Sequence, residues 1–568
     1  MRLLLSFTLA ALTASCGAGG DSAGSDYAPP AVDAGAGTPE CFSSNDCPTG
    51  WSCSDFGVCQ PPPDSPGDAE PPPPEVEYEL GAPVSSLRYV YVAMTDEDAL
   101  ARIDGATLEV SSVRVGEAPR VLATAPDSDA AAVLDAVNGT VTIVRPATSG
   151  DQKITLATLP NLNRLSVAPS GEYALAWFDL EKAVQESGGL GGVDRVGSFQ
   201  DVTVIRLTSG QAQAVDLTVG FRPRAVEFDR DSARAYVITE DGVSVIDLAA
   251  ATDAGPSIIA PIPVTDDVLA DPAAVEVAIV PTGERAVVRE AERAELRIVE
   301  LAGESRGQSQ TVTLDAVPSD VDLDPDGSHA YAVLREASAL AIVTLPTSAE
   351  EAPSVEVIDL GGAPVGSLVL SPDTSRGLLF TNATAAEQLT IIELDEPGRP
   401  HRSVTLEKSL RSVHISPDGD HAVLIHAKTP GDPDQAVDFE EFIDRSHGYS
   451  VFDIESGFAK LEITPVNPGA LAFAPNAPRA YLALSGADSD PDNNDNSDIA
   501  ALQILELDTG VVRERPLSSP PETVGVLPDA ETAFVGQRHP LGRISFIPIA
   551  GGPVRTITGF DLNSRIID

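Results

Sequence analysis

The chain has 568 residues, more than one ordinary domain, although a repeat fold can hold this much chain in one body. Its 36 Lys and Arg residues against 86 Asp and Glu residues give a net charge of −50. This charge argues against nucleic acid or an anionic membrane surface as a partner, because both require a positive protein surface. It is typical instead of a solubilising surface, and the protein is expected to be a monomer.

Residues 1–15 predict a removable signal peptide. They contain one Arg and an apolar run too short to span a bilayer, followed by small residues before Cys16. The segment Leu12–Cys16 resembles the lipobox of bacterial lipoproteins, with Thr13 in place of the usual Leu. The resemblance implies that Cys16 carries lipid and, with Gly17 next, that the protein is anchored in the outer membrane or at the cell surface. Secretion without lipid is the alternative.

Residues 16–40 are mostly Gly, Ala, Ser, Asp and Pro and predict a flexible tether. Residues 41–59 form a Cys-rich module in which five residues separate successive cysteines: Cys41, Cys47, Cys53 and Cys59. In an exported chain, four cysteines predict two disulfides with three possible connectivities. A zinc knot is less consistent, because CxxC pairs and a nearby His are absent. The module resembles Cys-rich knots at the N-termini of myxobacterial exported proteins. Residues 60–76, rich in Pro, predict a semi-rigid spacer of about 50 Å.

The stretch Val321–Leu345, VDLDPDGSHAYAVLREASALAIVTL, predicts the basic unit of the remaining chain. The predicted order is a short strand, a Pro-Asp-Gly turn, a second strand, a polar turn and a third strand. Pro325 presets the first dihedral of the turn and Gly327 tolerates a positive φ. The flanking apolar runs are too short for helices.

This unit recurs about every 43 to 60 residues through residues 77–568, close to the period of a four-stranded propeller blade. The chain is therefore predicted to be all-β, a β-propeller of four-stranded blades with ten repeats and eight to ten blades. Extra length falls in hairpin insertions at Glu181–Gln200, Lys428–His447 and Ser485–Asp498. A single ten-bladed ring is favoured over a smaller ring with added blades or two rings. The last residues, Ser564–Asp568, are predicted to supply the inner strand of blade 1, beside Tyr89–Met94.

Two segments, Ala235–Leu248 and Leu360–Asn382, resemble YVTN-type bacterial propellers. They share a Tyr-Val strand, an Ile-Asp strand, and then a G-x-x-P and S-P-D-G return. The resemblance covers about 480 residues and implies a fold more than a function. Some relatives of this family hold haem or act as lactonases, but the chain has no C-x-x-C-H motif for haem attachment.

Three groups of residues could carry chemistry. Five of the seven histidines lie between His401 and His447 without a tight metal motif, and they are interpreted as structural or surface residues. Alternating oxygen ligands could bind Ca²⁺ in a loop, although the EF-hand pattern is broken and a solvated hairpin tip is the simpler interpretation. These ligands are Asp488, Asp490, Asp492, Asn494, Asn496 and Asp498.

Arg120, Arg224 and Arg411 each stand six residues before a turn-Pro slot, and Arg565 has a comparable register in the last strand. Equal registers lie at equal heights around a propeller axis. The four could therefore form an anion-binding mouth of the channel, with pairing to nearby acids as the alternative.

The sequence favours an envelope-anchored, non-catalytic binding or scaffold propeller. It would bind the membrane through its lipid and an unidentified protein or small molecule through the ring. No catalytic residue is assigned and no cofactor is required, although the loop described above could bind Ca²⁺. The alternative is a lactonase-like or oxidoreductase enzyme that uses the channel mouth. It would need acids, Arg or His to converge in the channel.

Overall fold

The computed structural model divides into two compact units, Met1–Glu75 and Val76–Asp568. In the first unit it describes residues 47, 52–53 and 59–60. In the second it describes residues 78–126, 128–135, 137–147, 150–253, 255–267, 270–486, 499–560 and 564–567. Within these residues, no helix is both long and apolar enough to cross a bilayer.

The described part of the first unit is a two-stranded antiparallel sheet closed by a disulfide. Strands β1 (Ser52–Cys53) and β2 (Cys59–Gln60) pair with Cys53 opposite Cys59. A disulfide joins Cys47 to Cys59, and Cys53 is also disulfide-bonded. The Cys47–Cys59 bond belongs to only one of the three connectivities that the spacing allowed. Because a sheet of this size buries little apolar surface, it depends on cross-links for stability.

The second unit is a propeller of ten antiparallel blades, as the repeat predicted. The first five blades contain these strands: blade 1, β3 (Val84–Ser85), β4 (Tyr89–Met94), β5 (Ala99–Asp104) and β6 (Val110–Arg114); blade 2, β7 (Pro119–Thr124), β8 (Ala131–Asp135), β9 (Thr140–Arg145) and β10 (Gln152–Ala157); blade 3, β11 (Arg164–Val167), β12 (Tyr173–Trp177), β13 (Asp201–Arg206) and β14 (Gln213–Thr218); blade 4, β15 (Ala225–Phe228), β16 (Arg234–Thr239) and β17 (Gly242–Asp247); blade 5, β18 (Val275–Ile279), β19 (Arg285–Glu290), β20 (Glu295–Glu300) and β21 (Ser309–Thr313).

The other five blades each have four strands: blade 6, β22 (Asp320–Leu323), β23 (His329–Leu334), β24 (Ala339–Thr344) and β25 (Ser354–Asp359); blade 7, β26 (Ser367–Leu370), β27 (Arg376–Phe380), β28 (Gln388–Glu393) and β29 (His401–Thr405); blade 8, β30 (Leu410–Ile415), β31 (His421–His426), β32 (His447–Asp453) and β33 (Phe458–Thr464); blade 9, β34 (Pro468–Phe473), β35 (Arg479–Ser485), β36 (Ala500–Glu506) and β37 (Val511–Pro516); blade 10, β38 (Pro521–Leu527), β39 (Thr532–Gln537), β40 (Arg543–Pro548) and β41 (Arg555–Thr558).

Helices are few in the described part of the chain and lie in the connections. The α-helices are α1 (Leu180–Glu186), α2 (Leu248–Thr252) and α3 (Phe439–Arg445). The described 3₁₀ turns are Thr95–Glu97, Leu190–Gly192, Pro272–Ala274, Arg335–Ala337, Pro433–Gln435 and Pro528–Ala530.

Blade 6 shows how the sequence produces these elements. The amide of Gly327 donates to the carbonyl of Asp324 at 3.1 Å, and Gly327 has a φ of 75°. A Cβ at Gly327 would lie 2.5 Å from Val280 of blade 5, so the glycine also allows the turn to approach the neighbouring blade. The predicted strand, turn, strand, turn and strand are all present.

The core lies between adjacent blades and consists of apolar residues from their middle strands. Between blades 5 and 6, for example, Leu296 and Ile298 pack with Ala341 and Val343, and all four are almost completely buried. Buried tyrosines add a polar link. The hydroxyl of Tyr236 in blade 4 donates to the carbonyl of Gly283 in blade 5 at 2.6 Å. Sheets thus pack face to face around the ring.

The predicted position of the closing strand is wrong. Strand β42 (Ser564–Ile567) pairs in parallel with β6, placing Ser564 opposite Val110 on the outer edge of blade 1. The inner strand of blade 1 is β3, which pairs with β4. The sequence signal for β3 is weak because it has only two residues, follows Pro83 and precedes a turn without the Pro-Asp-Gly pattern.

Packing and backbone bonds between blades 10 and 1 close the ring. Leu527, Phe534 and Phe546 of blade 10 form one buried cluster with Val90 and Ile103 of blade 1. The amide of Asp529 donates to the carbonyl of Leu87 at 3.0 Å. Closure therefore depends on the faces of the blades as well as on the last strand.

Candidate functional site

One face of the ring carries the longest insertions. Because neighbouring strands run in opposite directions, the loops between second and third strands share a face with the connectors between blades. We call this the loop face. Insertions among the described residues lengthen it in blades 3 and 8, at residues 178–200 and 427–446.

A cleft of about 770 Å³ opens on the loop face over blades 1, 2 and 3. This volume lies within the range of small-ligand sites, about 300–1,000 Å³. Its apolar wall includes Val121, Leu162 and Phe178, of which the last two are buried. Its charged lining residues are Glu79, Glu117, Arg120, Lys182, Glu186, Asp194 and Arg195. Both signs of charge therefore line one concave surface.

Helix α1 forms one side of the cleft and is fixed to blade 3. The Asp179 carboxylate caps it by accepting from the Lys182 amide at 3.1 Å, and it also accepts from Arg164 Nε at 2.8 Å. The side-chain amide of Asn163 bonds the backbone of Asp179 in both directions, at 2.7 and 2.8 Å. Lys182 Nζ donates to the carbonyl of Asn163 at 2.7 Å. The insertion is thus anchored to the inner strand, which preorganises the wall.

Arg120 is the arginine of the predicted set that lies in the cleft. Its guanidinium is 4.0 Å from a carboxylate oxygen of Glu79, and the two side chains are 62% and 60% exposed. Exposed pairs of this kind contribute about 0–1 kcal/mol, so a ligand carboxylate can compete for Arg120.

Arg224 and Arg411 instead bridge their blades to the next connector. Arg224 Nη1 donates to the carbonyl of Pro272 at 2.5 Å. Arg411 donates to Asn467 Oδ1 at 2.6 Å and to the carbonyl of Pro468 at 3.1 Å, and burial lowers its pKa. Within the described residues, no contact joins Arg120, Arg224 and Arg411 to one another. Binding of an anion by this set remains a prediction.

The prediction that Arg565 shares this inner register is wrong. Arg565 pairs with Ser111 of β6, so its backbone lies on the outer edge of blade 1. The resemblance between the last strand and the inner strands was a pattern of apolar residues, which cannot distinguish the two edges of a sheet.

The inner strands of blades 4 to 6 carry partly buried carboxylates that the sequence analysis did not predict. Glu227 accepts from the Ile279 amide of blade 5 at 3.2 Å, and Asp320 accepts from the Leu368 amide of blade 7 at 2.9 Å. Each carboxylate thus accepts a hydrogen bond from an edge amide of the next blade along the chain. Burial raises the pKa of both carboxyls.

Asp322 lies two residues beyond Asp320, on the same side of β22. Its Oδ2 is buried and accepts no hydrogen bond from a described residue. Burial raises the pKa of Asp322 to about 7, and the charges of Asp320 and Glu276 contribute to the increase. The signal was present in the sequence as the alternation Asp-Val-Asp-Leu of β22, because a buried side chain of a strand is normally apolar or paired.

The histidines do not converge. His426 is buried, bonds the Ser409 carbonyl at 3.1 Å and Ser450 Oγ at 2.7 Å, and burial lowers its pKa to about 4. His414 pairs in the ladder with Val423, away from His426. The part of the chain that is described contains no group of three or more His, Cys, Asp or Glu arranged to hold a metal. The predicted calcium loop, Asp488–Asp498, lies outside it, as do Cys16 and Cys41.

Comparisons with known proteins identify no family for this chain. No protein-family model matches the chain, and no curated protein matches it by sequence. Among solved structures, a eukaryotic initiation factor has a TM-score of 0.44 at 13% identity, with 78% of this chain and 96% of that chain covered. The dihydro-heme d1 dehydrogenase NirN has a TM-score of 0.40 at 11% identity, covering 75% and 73%. AztD from Citrobacter koseri has 0.38 at 13% identity, covering 69% and 95%.

Proposed function

We propose that this protein is a non-catalytic binding propeller whose loop-face cleft takes a small zwitterionic ligand, an amino acid or a short peptide. The observation that carries the proposal is the mixed charge of the cleft over an apolar wall. Arg120 and Arg195 suit a carboxylate, Glu117 and Glu186 suit an ammonium group, and Phe178 lies among the apolar contacts. Planar guanidinium groups bind carboxylates in a defined orientation.

The test is a thermal-shift screen of the full chain against the common amino acids and a set of dipeptides. A ligand that binds only the native state raises stability by RT ln(1 + [L]/Kd), so a hit shifts the thermal midpoint in proportion to its affinity. We expect at least one member to stabilise the wild type, and Arg120→Gln to remove that shift. Arg515→Gln, an exposed arginine on β37, is the matched control and should retain it.

No stabilisation by any member at millimolar concentration would overturn the proposal. An equal shift in the wild type and in Arg120→Gln would also contradict it, because the ligand would then bind elsewhere.

The proposal includes an envelope anchor at Cys16. The short apolar signal and the lipobox-like segment before Cys16 support it. Cys16→Ser should release the mature protein from membranes, whereas Ser15→Ala should leave it attached. Retention of the Cys16→Ser protein in the membrane fraction would contradict lipid attachment.

A second candidate function is acid–base catalysis at the channel wall, and Asp322 favours it. Neighbouring carboxyls whose environments separate their pKa values are typical of acid–base sites. Under this alternative the wild type hydrolyses lactones, with gluconolactone as the first substrate, and Asp322→Asn lowers kcat with little change in KM. Equal rates in the two proteins would exclude Asp322 as the catalytic residue.

A further inference from the structure

Blade 4 has three strands in its sheet, whereas each of the other nine described sheets of the ring has four or five. The segment that follows, residues 255–264, crosses from blade 3 to blade 4 without forming a strand. Ile258 bridges Thr218 of β14, and Ile262 bridges Val243 of β17. The outer edge of blade 4 is therefore only partly covered.

The backbone bonds of this segment show why it does not complete the sheet. Val243 and Ile262 exchange two backbone hydrogen bonds, at 2.9 and 2.8 Å. Pro261 and Pro263 flank Ile262 on the side that faces away from β17, where a proline is tolerated because no ladder bond needs its amide. The pairing stops after one residue pair because the chain before Ile262 bonds to blade 3 instead, where the Ile259 amide donates to the carbonyl of Thr218 at 2.8 Å.

Val245 is left as an open edge position. In an antiparallel strand the amide and carbonyl of residue i+2 point to the same side as those of residue i, so Val245 faces outward as Val243 does. Within the described residues, no backbone partner meets Val245 on that side. An exposed strand edge of this kind is a template for another extended chain.

An aliphatic groove of about 530 Å³ borders this edge. Its lining includes Val245, Ala250, Ile258 and Ile262, and Ile258 is 70% exposed. Asp247 and Arg306 are its charged lining residues: the Asp247 carboxylate accepts from the Ala250 amide at 2.8 Å, whereas Arg306 is exposed and forms no ion pair with a described residue. A groove of this composition accepts an aliphatic side chain beside a carboxylate.

The same propeller already extends one blade beyond four strands. Strand β42 pairs with β6 as a fifth strand of blade 1. An outer edge in this ring can thus be extended by a segment that does not belong to the four consecutive strands of the blade.

We propose that the open edge of blade 4 binds an extended segment of a partner protein, which pairs with Val245 as the missing fourth strand. The segment places an aliphatic residue in the groove and a carboxylate against Arg306. A second copy of this chain is the less suitable occupant, because a net charge of −50 opposes association of two copies.

The probe is a fluorescein-labelled hexapeptide with the sequence SVEVID, that of β25, which is the kind of outer strand that blade 4 lacks. Fluorescence anisotropy with the full chain should show saturable binding. Arg306→Gln should weaken it about three- to fivefold, as expected for an exposed ion pair. Arg515→Gln is the matched control and should bind like the wild type.

Two changes test the groove and the strand pairing separately. Ala250→Trp fills the groove from an exposed position and should abolish binding. Ile258→Arg should abolish it too, and it replaces the first variant in the test if Ala250→Trp melts below the wild type. Of two peptides N-methylated at the odd or at the even positions, one should lose binding, because only one set of amides faces β17.

Absence of binding by the wild type at millimolar peptide would overturn the proposal. Equal binding of both methylated peptides and the parent would overturn strand pairing, and unchanged binding by both groove variants would exclude this groove. A concentration-dependent dimer in sedimentation velocity that Ala250→Trp removes would assign the edge to a second copy and contradict the proposal.

Discussion

The inner strand of blade 7 and the outer strand of blade 4 both present backbone groups at the edge of a sheet. At the inner edge, the Leu368 amide donates to Asp320 of the preceding blade at 2.9 Å. At the outer edge, Val245 meets no backbone partner among the described residues. Side chains of the preceding blade thus pair inner-edge amides in blades 5 and 7, whereas the outer edge of blade 4 would need a further strand.

Blade 1 gives the second half of this comparison. Its outer strand β6 is paired by β42, and its buried residues pack against blade 10. Strand pairing at the rim and packing between blades are therefore separate contributions to closure. Changes at the rim and changes between blades should therefore differ in their cost to stability.

Packing at the junction of blades 10 and 1 should have the largest effect. Phe546 is fully buried there, so Phe546→Ala is expected to lower the free energy of unfolding by about 3–5 kcal/mol through lost contacts and a cavity. Chemical denaturation measures this change. Phe458→Ala, on a side chain that is 65% exposed, is the control and should change stability little. Equal costs for the two would mean that the junction is not the closing contact.

Removal of the buried charge at Asp322 should stabilise the protein above neutral pH. The pKa of this carboxyl is about 7 in the native state against 3.8 as its ordinary value, so the native state binds the proton more tightly and loses stability as pH rises from about 4 to 7. One pKa unit corresponds to about 1.4 kcal/mol, and partial solvent contact reduces the total, so Asp322→Asn should gain about 2 kcal/mol at pH 8. The gain should vanish near pH 4. A gain independent of pH would contradict this origin.

Loss of an inner-edge acceptor should have a smaller cost. Glu227→Ala leaves the Ile279 amide without its carboxylate partner, which should lower the free energy of unfolding by about 1.5 kcal/mol. Glu227→Gln retains an acceptor oxygen and should remain near the wild type. Lys153→Ala on the outer strand β10 is the control for the other edge. A Glu227→Ala protein as stable as the Lys153→Ala protein would show that the carboxylate is not needed there.

Deletion of residues 564–568 should have the smallest effect. It removes a short parallel strand from the outer edge of blade 1 and leaves the cluster between blades 10 and 1 in place. We expect a loss of about 1 kcal/mol, the net contribution of one or two hydrogen bonds, measured by thermal melting. A loss as large as that of Phe546→Ala would place closure at this strand after all.

The sequence predicted the elements that local chemistry determines. Pro325 and Gly327 specify their turn without help from the rest of the ring, and the strands around them follow the apolar pattern. The ten repeats then indicated ten blades. The N-terminal module contains the Cys47–Cys59 disulfide, one of the bonds that the even spacing allowed.

What the sequence did not predict depends on neighbours in space. The position of Ser564–Ile567 at the outer edge of blade 1, and the pairing of Arg224 with Pro272, each join residues far apart in the chain. Such contacts leave no periodic signal. The open edge of blade 4 is of the same kind, because the segment after β17 bonds Thr218 of blade 3 through Ile259 rather than continuing along β17.

Residue-resolved hydrogen exchange of the amides at the two edges tests this account most directly. Amides with a stable acceptor exchange through opening of the structure, whereas an open edge amide exchanges much faster. We predict slow exchange for Leu368, which donates to Asp320, and for Val243, which donates to Ile262, together with fast exchange for Val245. Exchange at Val245 as slow as at Leu368 would show that the outer edge of blade 4 is already closed and would contradict the account.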